Sequence, residues 1–279
     1  MISTKILLVF LSGSVITCMA ADWSYDGKNG PDEWPKHFKH CGGKQQSPVD
    51  IKPNDSKFQR RNLEHNYKGK HAKLEFSLEN NGHSAQVTLE NTGKLAAKVN
   101  GDEFVPVQVH FHWGSSNNVG SEHKVNGKQY AAEMHFVHMN KKYESSDEAL
   151  KHKDGLLVLG SFIEVGDENS DLKPIFSQLD DVGEQGEKTE VDDLDISKLM
   201  PSNKKDFYFY DGSLTTPKCN EAVKWIVFKD TISISEDQIA ALRSLKHKDE
   251  EGKDKPIVDN FRPVQALNGR VIYRTFKDE

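Results

Sequence analysis

The sequence predicts a single, mainly β (α+β) domain with short peripheral helices. Three observations carry this: strand-like alternation recurs along the chain, turn dipeptides punctuate it, and helix signals are few. With 279 residues, 29% charged and 35% hydrophobic, the chain could make one large domain or two small ones. No repeat and no Pro/Gly/Ser linker divides it.

The alternation begins where Leu74, Phe76 and Leu78 interleave with Lys73, Glu75 and Ser77. It continues through residues 87–89, 105–111, 130–139, 156–165, 207–210 and 222–228. Asn81-Gly82, Asn100-Gly101, Asn126-Gly127, Asp154-Gly155, Asp211-Gly212 and Asn268-Gly269 read as turns between them. The clearest helix start is Ser235, with Gln238 at the capping-box position and Ile234 and Ile239 placed as a hydrophobic staple. A second helix is expected over residues 172–179. The acidic stretch 184–195 lacks the spacing of a calcium loop and reads as a solvated segment.

The two ends bear on location. Lys5 precedes an apolar run over residues 6–16, followed by small residues ending in Ala20-Ala21, which predicts a signal peptide over residues 1–20 and a mature domain over 21–279. The run falls short of the ~20 apolar residues of a spanning helix. The polar last residues, 273–279, predict no lipid anchor. The protein is expected to be secreted and extracellular. Its net charge of −6 becomes −7 once Lys5 leaves with the signal, which argues against nucleic acid or an anionic membrane as partner. Cys41 and Cys219 remain after Cys18 is removed, an even count that suggests a disulfide, the alternative being two unrelated thiols. Asn54-Asp55-Ser56 is a candidate glycosylation site at Asn54.

The chemistry is concentrated in two strands. Side chains alternate faces along a strand, so Gln108, His110 and His112 point one way. On the second strand Glu133, His135 and Val137 share a face. Sixteen residues, 114–129, allow the two strands to be antiparallel neighbours, and three imidazoles could then converge on one Zn2+. Three ligands rather than four is the catalytic pattern. Gln108 and Glu133 sit two residues before their histidines, placed to fix the outer ring nitrogens.

Several further motifs then align: residues 46–51 (QSPVDI), 80–83 (NNGH), 108–114 (QVHFHWG), 120–123 (GSEH), 132–138, 213–217 (SLTTP) and 260–263 (NFRP). Together they resemble an α-class carbonic anhydrase of the secreted type over essentially the whole mature chain. The resemblance implies a central, mostly antiparallel twisted sheet of about ten strands, with zinc in a conical cleft. It implies reversible hydration of carbon dioxide to bicarbonate and a proton by a zinc-bound hydroxide. The zinc ligands would be His110, His112 and His135, oriented by Gln108, Glu133 and the backbone carbonyl of Asn260. Thr215 would accept from the hydroxide while donating to Glu122, with Thr216 beside it.

Carbon dioxide would meet a wall of Val137, Val158, Leu214, Val223 and Trp225. His83 would shuttle protons, since an imidazole near its ordinary pKa of ~6.5 suits exchange at neutral pH. Tyr25, Asn81 and Gln86 would line its water path. Cys41 and Cys219 would form the disulfide of secreted members. Phe261 stands where many members carry Trp. His138 is expected to be structural, and His37, His40, His65, His71, His152 and His247 to lie on the surface. A binding module that had lost catalysis would lack one of the zinc histidines, and all three are present. A mineral-matrix protein would need a repetitive acidic or Gly/Asn-rich insertion, which this chain lacks.

Overall fold

The structure, a computed structural model, describes residues 23–67 and 74–277. The expected signal peptide and His71 lie outside the described residues. The alternating segments assemble into one sheet of 13 strands, ten of them in a continuous path. From edge to edge the path runs Lys188–Glu190, Glu75–Asn80, Ala85–Glu90, Asp102–Trp113, Ala132–Asn140, Leu156–Val165, Val223–Phe228, Phe207–Gly212, Tyr273–Arg274 and Lys57–Phe58. The sheet is mixed rather than antiparallel throughout. Leu156–Val165 runs parallel to both Val223–Phe228 and Ile232–Ile234, and Tyr273–Arg274 runs parallel to Lys57–Phe58. Alternation sets which face a residue takes but carries no strand direction, so these parallel pairs are invisible to it.

The central strand, Asp102–Trp113, shows how packing selects faces. Phe104, Val109, Phe111 and Trp113 all enter the same buried cluster, although one is even-numbered and three are odd. A register shift between Pro106 and Gln108 in the pairing with Ala132–Asn140 reconciles them. One extra residue at the bulge reverses the alternation, which leaves Gln108, His110 and His112 on the opposite face.

The helices are short and peripheral, as expected. Glu236–Ser244 starts at Ser235, whose hydroxyl accepts from Gln238 N–H while the Gln238 side chain accepts from Ser235 N–H. The expected helix over 172–179 is instead one α turn, Lys173–Phe176, followed by a 3-10 turn, Leu179–Val182. Asn100-Gly101 and Asn126-Gly127 adopt the left-handed conformation that two-residue hairpins require. Asp211-Gly212 is not a turn: both residues belong to Phe207–Gly212. A β-carbon at Gly212 would sit 2.2 Å from the Ser47 hydroxyl and 2.9 Å from the Trp225 ring, so close approach, not turning, calls for glycine there. The acidic stretch contains the edge strand Lys188–Glu190, and Glu184 pairs with Lys246 at 2.8 Å. His65 is half-buried and stacks on Tyr67, and His247 lines a cavity, so neither is a plain surface residue.

Candidate metal centre

Pairing of Asp102–Trp113 with Ala132–Asn140 sets His110 directly opposite His135 and His112 opposite Glu133. The three imidazoles meet on one face of the sheet, with His112 and His135 buried and His110 half-buried. One ligand atom from each lies within 4.8 Å of the others.

Each outer ring nitrogen has an acceptor. His110 Nδ1 donates to Gln108 Oε1 at 2.8 Å, His112 Nδ1 to the Asn260 carbonyl at 2.7 Å, and His135 Nε2 to Glu133 Oε1 at 2.8 Å. These acceptors fix the tautomers, because a neutral imidazole carries one proton. The inner nitrogens, His110 Nε2, His112 Nε2 and His135 Nδ1, are then bare lone pairs. His110 Nε2 and His135 Nδ1 face each other at 3.2 Å with no proton between them. His112 Nε2 is buried without a hydrogen-bond partner and lies 3.4 Å from Glu122 Oε2, itself buried and unpartnered. Three lone pairs and a carboxylate oxygen turned on one point fit a cation, and nitrogen donors in a three-His set fit zinc.

The electrostatics agree. Burial, reinforced by the neighbouring His112 and His135, pushes His110 well below its ordinary value, and burial lowers His112. Both rings are therefore held neutral, the form that binds metal. Burial alone would raise the Glu133 carboxyl, but His123 and His135 outweigh it and hold it well below the usual carboxylate range. Glu133 accepts from three donors, since His123 also gives its Nδ1–H at 2.7 Å and its backbone N–H at 2.8 Å. His123, Glu133 and His135 form a second convergent trio. Their facing atoms are already spent on these hydrogen bonds, so the trio orients the first site rather than making another.

Glu122 comes to the site and Thr215 is buried, but the Thr215–Glu122 hydrogen bond that the resemblance implies is not formed among the described residues. Glu122 Oε1 instead accepts from the Arg262 backbone N–H at 2.8 Å. Thr215 and the partly buried Thr216 follow Phe207–Gly212, in the loop where Trp225 Nε1 donates to the Ser213 carbonyl at 3.0 Å.

Val137, Val158, Val223 and Trp225 are buried in one cluster, against which Leu214 packs. Their strands explain it: Val158 pairs with Val137 on one side and Trp225 on the other. The Trp225 ring lies 4.8 Å from the His135 ring, so this apolar row adjoins the triad.

His83 is half-buried and stacks on Trp23, ring centroids 3.7 Å apart, with Tyr25 edge-on at 6.5 Å. Trp23, Tyr25, His83 and Asn260 line a cavity of about 740 Å³. Asn260 thus touches both regions: its carbonyl holds His112, and its Nδ2 donates to the His83 carbonyl at 2.8 Å. Asn81 uses its side-chain oxygen on the backbone N–H groups of His83 and Ser84, shaping the turn. Gln86 pairs with His110 across strands, and its side chain reaches Thr88 at 3.4 Å.

Cys41 and Cys219 form a disulfide, buried against Trp34. Three residues in the quoted motifs or strands, His123, Tyr210 and Arg262, carry contacts that no local pattern announces. His123 Nε2 lies 2.7 Å from the Tyr210 hydroxyl, which reaches Ser47 Oγ at 2.8 Å.

A family profile described as eukaryotic-type carbonic anhydrase matches residues 29–276. Human carbonic anhydrase 3 is 38% identical over 264 residues, covering 93% of this chain and all of the relative. Mouse carbonic anhydrase 1 is 38% identical over 263 residues, covering 92% and 99%, and bovine carbonic anhydrase 3 is 36% identical over 268 residues, covering 93% and 100%. The chain belongs to the eukaryotic-type carbonic anhydrase family, enzymes of carbon dioxide hydration.

Proposed function

We propose that the chain hydrates carbon dioxide reversibly through a zinc ion held by His110, His112 and His135, with His83 exchanging the proton. The observation that carries this is the set of three bare ring nitrogens, each with its outer nitrogen tied to a fixed acceptor. Held there, zinc supplies a Lewis acid that lowers the pKa of water to about 7, a value for which carbonic anhydrase is itself the reference case.

The chain's own residues do the rest. Gln108, Glu133 and the Asn260 carbonyl hold the three rings at fixed angles, so no reorganisation is needed during turnover. Carbon dioxide is apolar and offers little to hydrogen-bond. Val137, Val158, Leu214, Val223 and Trp225 receive it by excluding water. Glu122 has one oxygen committed to Arg262 and one open. An open acceptor is what the Thr215 hydroxyl proton requires. With that proton spent, the Thr215 oxygen can only accept, which aims the reacting water's lone pair at the substrate. Thr216 extends the polar side of the pocket.

His83, on the cavity wall beside Trp23, takes the released proton on a ring nitrogen and passes it to solvent. Tyr25, Asn81 and Gln86 offer polar groups along that route. Residues 1–20 act as a signal peptide that exports the mature domain, and the Cys41–Cys219 disulfide supports an oxidising destination. Asn54 is exposed, as a glycan site must be. No helix of the described residues is long and apolar enough to cross a membrane.

Removing metal from the purified protein with a chelator should abolish carbon dioxide hydration, and added zinc should restore it. An undiminished rate after verified metal removal would sink the proposal.

A further inference from the structure

Asn260 and Arg262 lie in a segment without regular secondary structure, yet its backbone grips two sides of the site. The Asn260 carbonyl takes the His112 Nδ1–H at 2.7 Å, and the Arg262 N–H reaches Glu122 Oε1 at 2.8 Å. An irregular segment has no ladder to fix it, so something else must. At Asn260 its own side chain does so, with Oδ1 accepting from Trp113 N–H at 2.7 Å and Nδ2 donating to the His83 carbonyl at 2.8 Å. At Arg262 it is the arginine side chain, only 2% exposed. Its Nη1 donates to Gln46 Oε1 at 2.8 Å and to the Ser47 carbonyl at 2.9 Å, and its Nη2 to the Cys41 carbonyl at 3.0 Å.

All three acceptors belong to residues 41–47, and that stretch is attached to the loop carrying Thr215. The disulfide joins Cys41 to Cys219, and Gln46 Nε2 donates to the Cys219 carbonyl at 3.2 Å. Ser47 N–H donates to Ser213 Oγ at 3.0 Å, while Ser213 N–H donates to Ser47 Oγ at 3.1 Å. Two parts of the site that approach from distant stretches of sequence therefore meet at one guanidinium.

We infer that Arg262 is a positioning residue, locking the 260–262 segment to the disulfide-braced 41–47 segment and so aligning Glu122 and the partner of His112 with the Thr215 loop. Arginine suits the task because its planar fork spans three acceptors at once, where the single ammonium of lysine cannot. The inference rests on the metal reading of the triad.

The test is Arg262→Lys, which keeps the charge and the backbone N–H, studied well below its melting temperature. Zinc release into excess chelator is timed, and kcat and KM for carbon dioxide are measured separately. Loss of a partner that orients a ligand weakens metal binding or activity 10- to 100-fold. Acting one step further out, Arg262→Lys should speed zinc release by about 10-fold and lower kcat comparably, with KM little changed. A folded variant with wild-type zinc release and wild-type kcat overturns the inference, even if its melting temperature falls. Should Arg262→Lys fail to fold, Gln46→Leu removes one acceptor and the tie to Cys219 while leaving two. It should shift zinc release and kcat in the same direction by about 2- to 3-fold, and no shift overturns the inference. A wild-type protein that binds no zinc would instead overturn the metal reading.

Discussion

Glu133→Gln is the sharpest probe of how the triad is held. Glu133 accepts from His135 Nε2, from His123 Nδ1 and from the His123 backbone N–H, all at 2.7–2.8 Å. A carboxylate has no proton and can meet three donors, whereas an amide replaces one oxygen with NH2. With the amide oxygen at the Oε1 position, the NH2 faces the His123 backbone N–H; reversed, it faces both rings. Either way a buried donor opposes a donor. Hydrogen bonds to a charged acceptor contribute about 1.5–3 kcal/mol and neutral ones about 0.5–1.5, so the His135 bond weakens by roughly 1–1.5 kcal/mol. The misplaced NH2 adds a further cost of about 1–3 kcal/mol, shared between overall stability and the site. The share reaching the metal should be 1.4–2.8 kcal/mol, or about 10- to 100-fold in zinc affinity. Competition against a chromogenic chelator measures that affinity, and stopped-flow hydration measures kcat/KM. A Glu133→Gln protein with unchanged zinc affinity and unchanged kcat/KM would refute the claim that this carboxylate orients the ring.

Two other outcomes test separate parts of the structure. His83→Ala should slow turnover in weak buffer by about 10-fold or more, towards the ~100-fold that a positioned proton-transfer group contributes at the low end, and added imidazole should restore it. An unchanged rate at low buffer removes His83 from proton exchange. His138 is buried beside Tyr67 and pushed down to about 3 by that burial. A histidine lowered below its unfolded value of ~6.5 favours the folded state at high pH, because between about 3 and 6.5 the unfolded chain binds the extra proton. Stability should therefore fall as pH drops from 6.5 to 5, with His138 contributing up to about 1.4 kcal/mol per pH unit. Urea denaturation of the zinc-loaded His138→Gln protein should show a correspondingly shallower slope, and an identical slope would count against this origin.

Much of the site was legible because it is built from strands. Two residues of spacing put Gln108 with His110 and His112, and Glu133 with His135, and the structure keeps those groupings. The bulge at residues 106–108 was not legible, since one extra residue leaves no mark in a polar/apolar pattern until the partner strand is known. Asp211-Gly212 was misread as a turn for a related reason. Its glycine answers to Ser47, 165 positions upstream of Gly212, rather than to its own backbone. Parallel pairing of Leu156–Val165 with Val223–Phe228 was hidden likewise, because direction is settled by the connection and not by the strands themselves.

The contacts that stayed hidden share a physical form. His112 is held by a backbone carbonyl 148 residues away, a contact that the family resemblance implied but no residue pattern shows, and Glu122 by a backbone N–H 140 residues away that neither announced. A backbone group is present at every residue, so no side-chain identity marks Asn260 or Arg262 as its owner. What can be marked is the side chain that fixes such a backbone in place. Arginine is seldom fully buried without partners, and a buried Arg262 with three carbonyl-type acceptors is the trace of that requirement. The same reasoning separates two kinds of position around the triad. Where the partner is a side chain, as at Gln108 and Glu133, substitution removes the contact itself. Where it is backbone, as at Asn260 and Arg262, substitution can act only through what anchors the segment: at Asn260 the side-chain bonds to Trp113 and His83, and at Arg262 the fork whose effect should track the rigidity of residues 41–47 and of the disulfide that braces them.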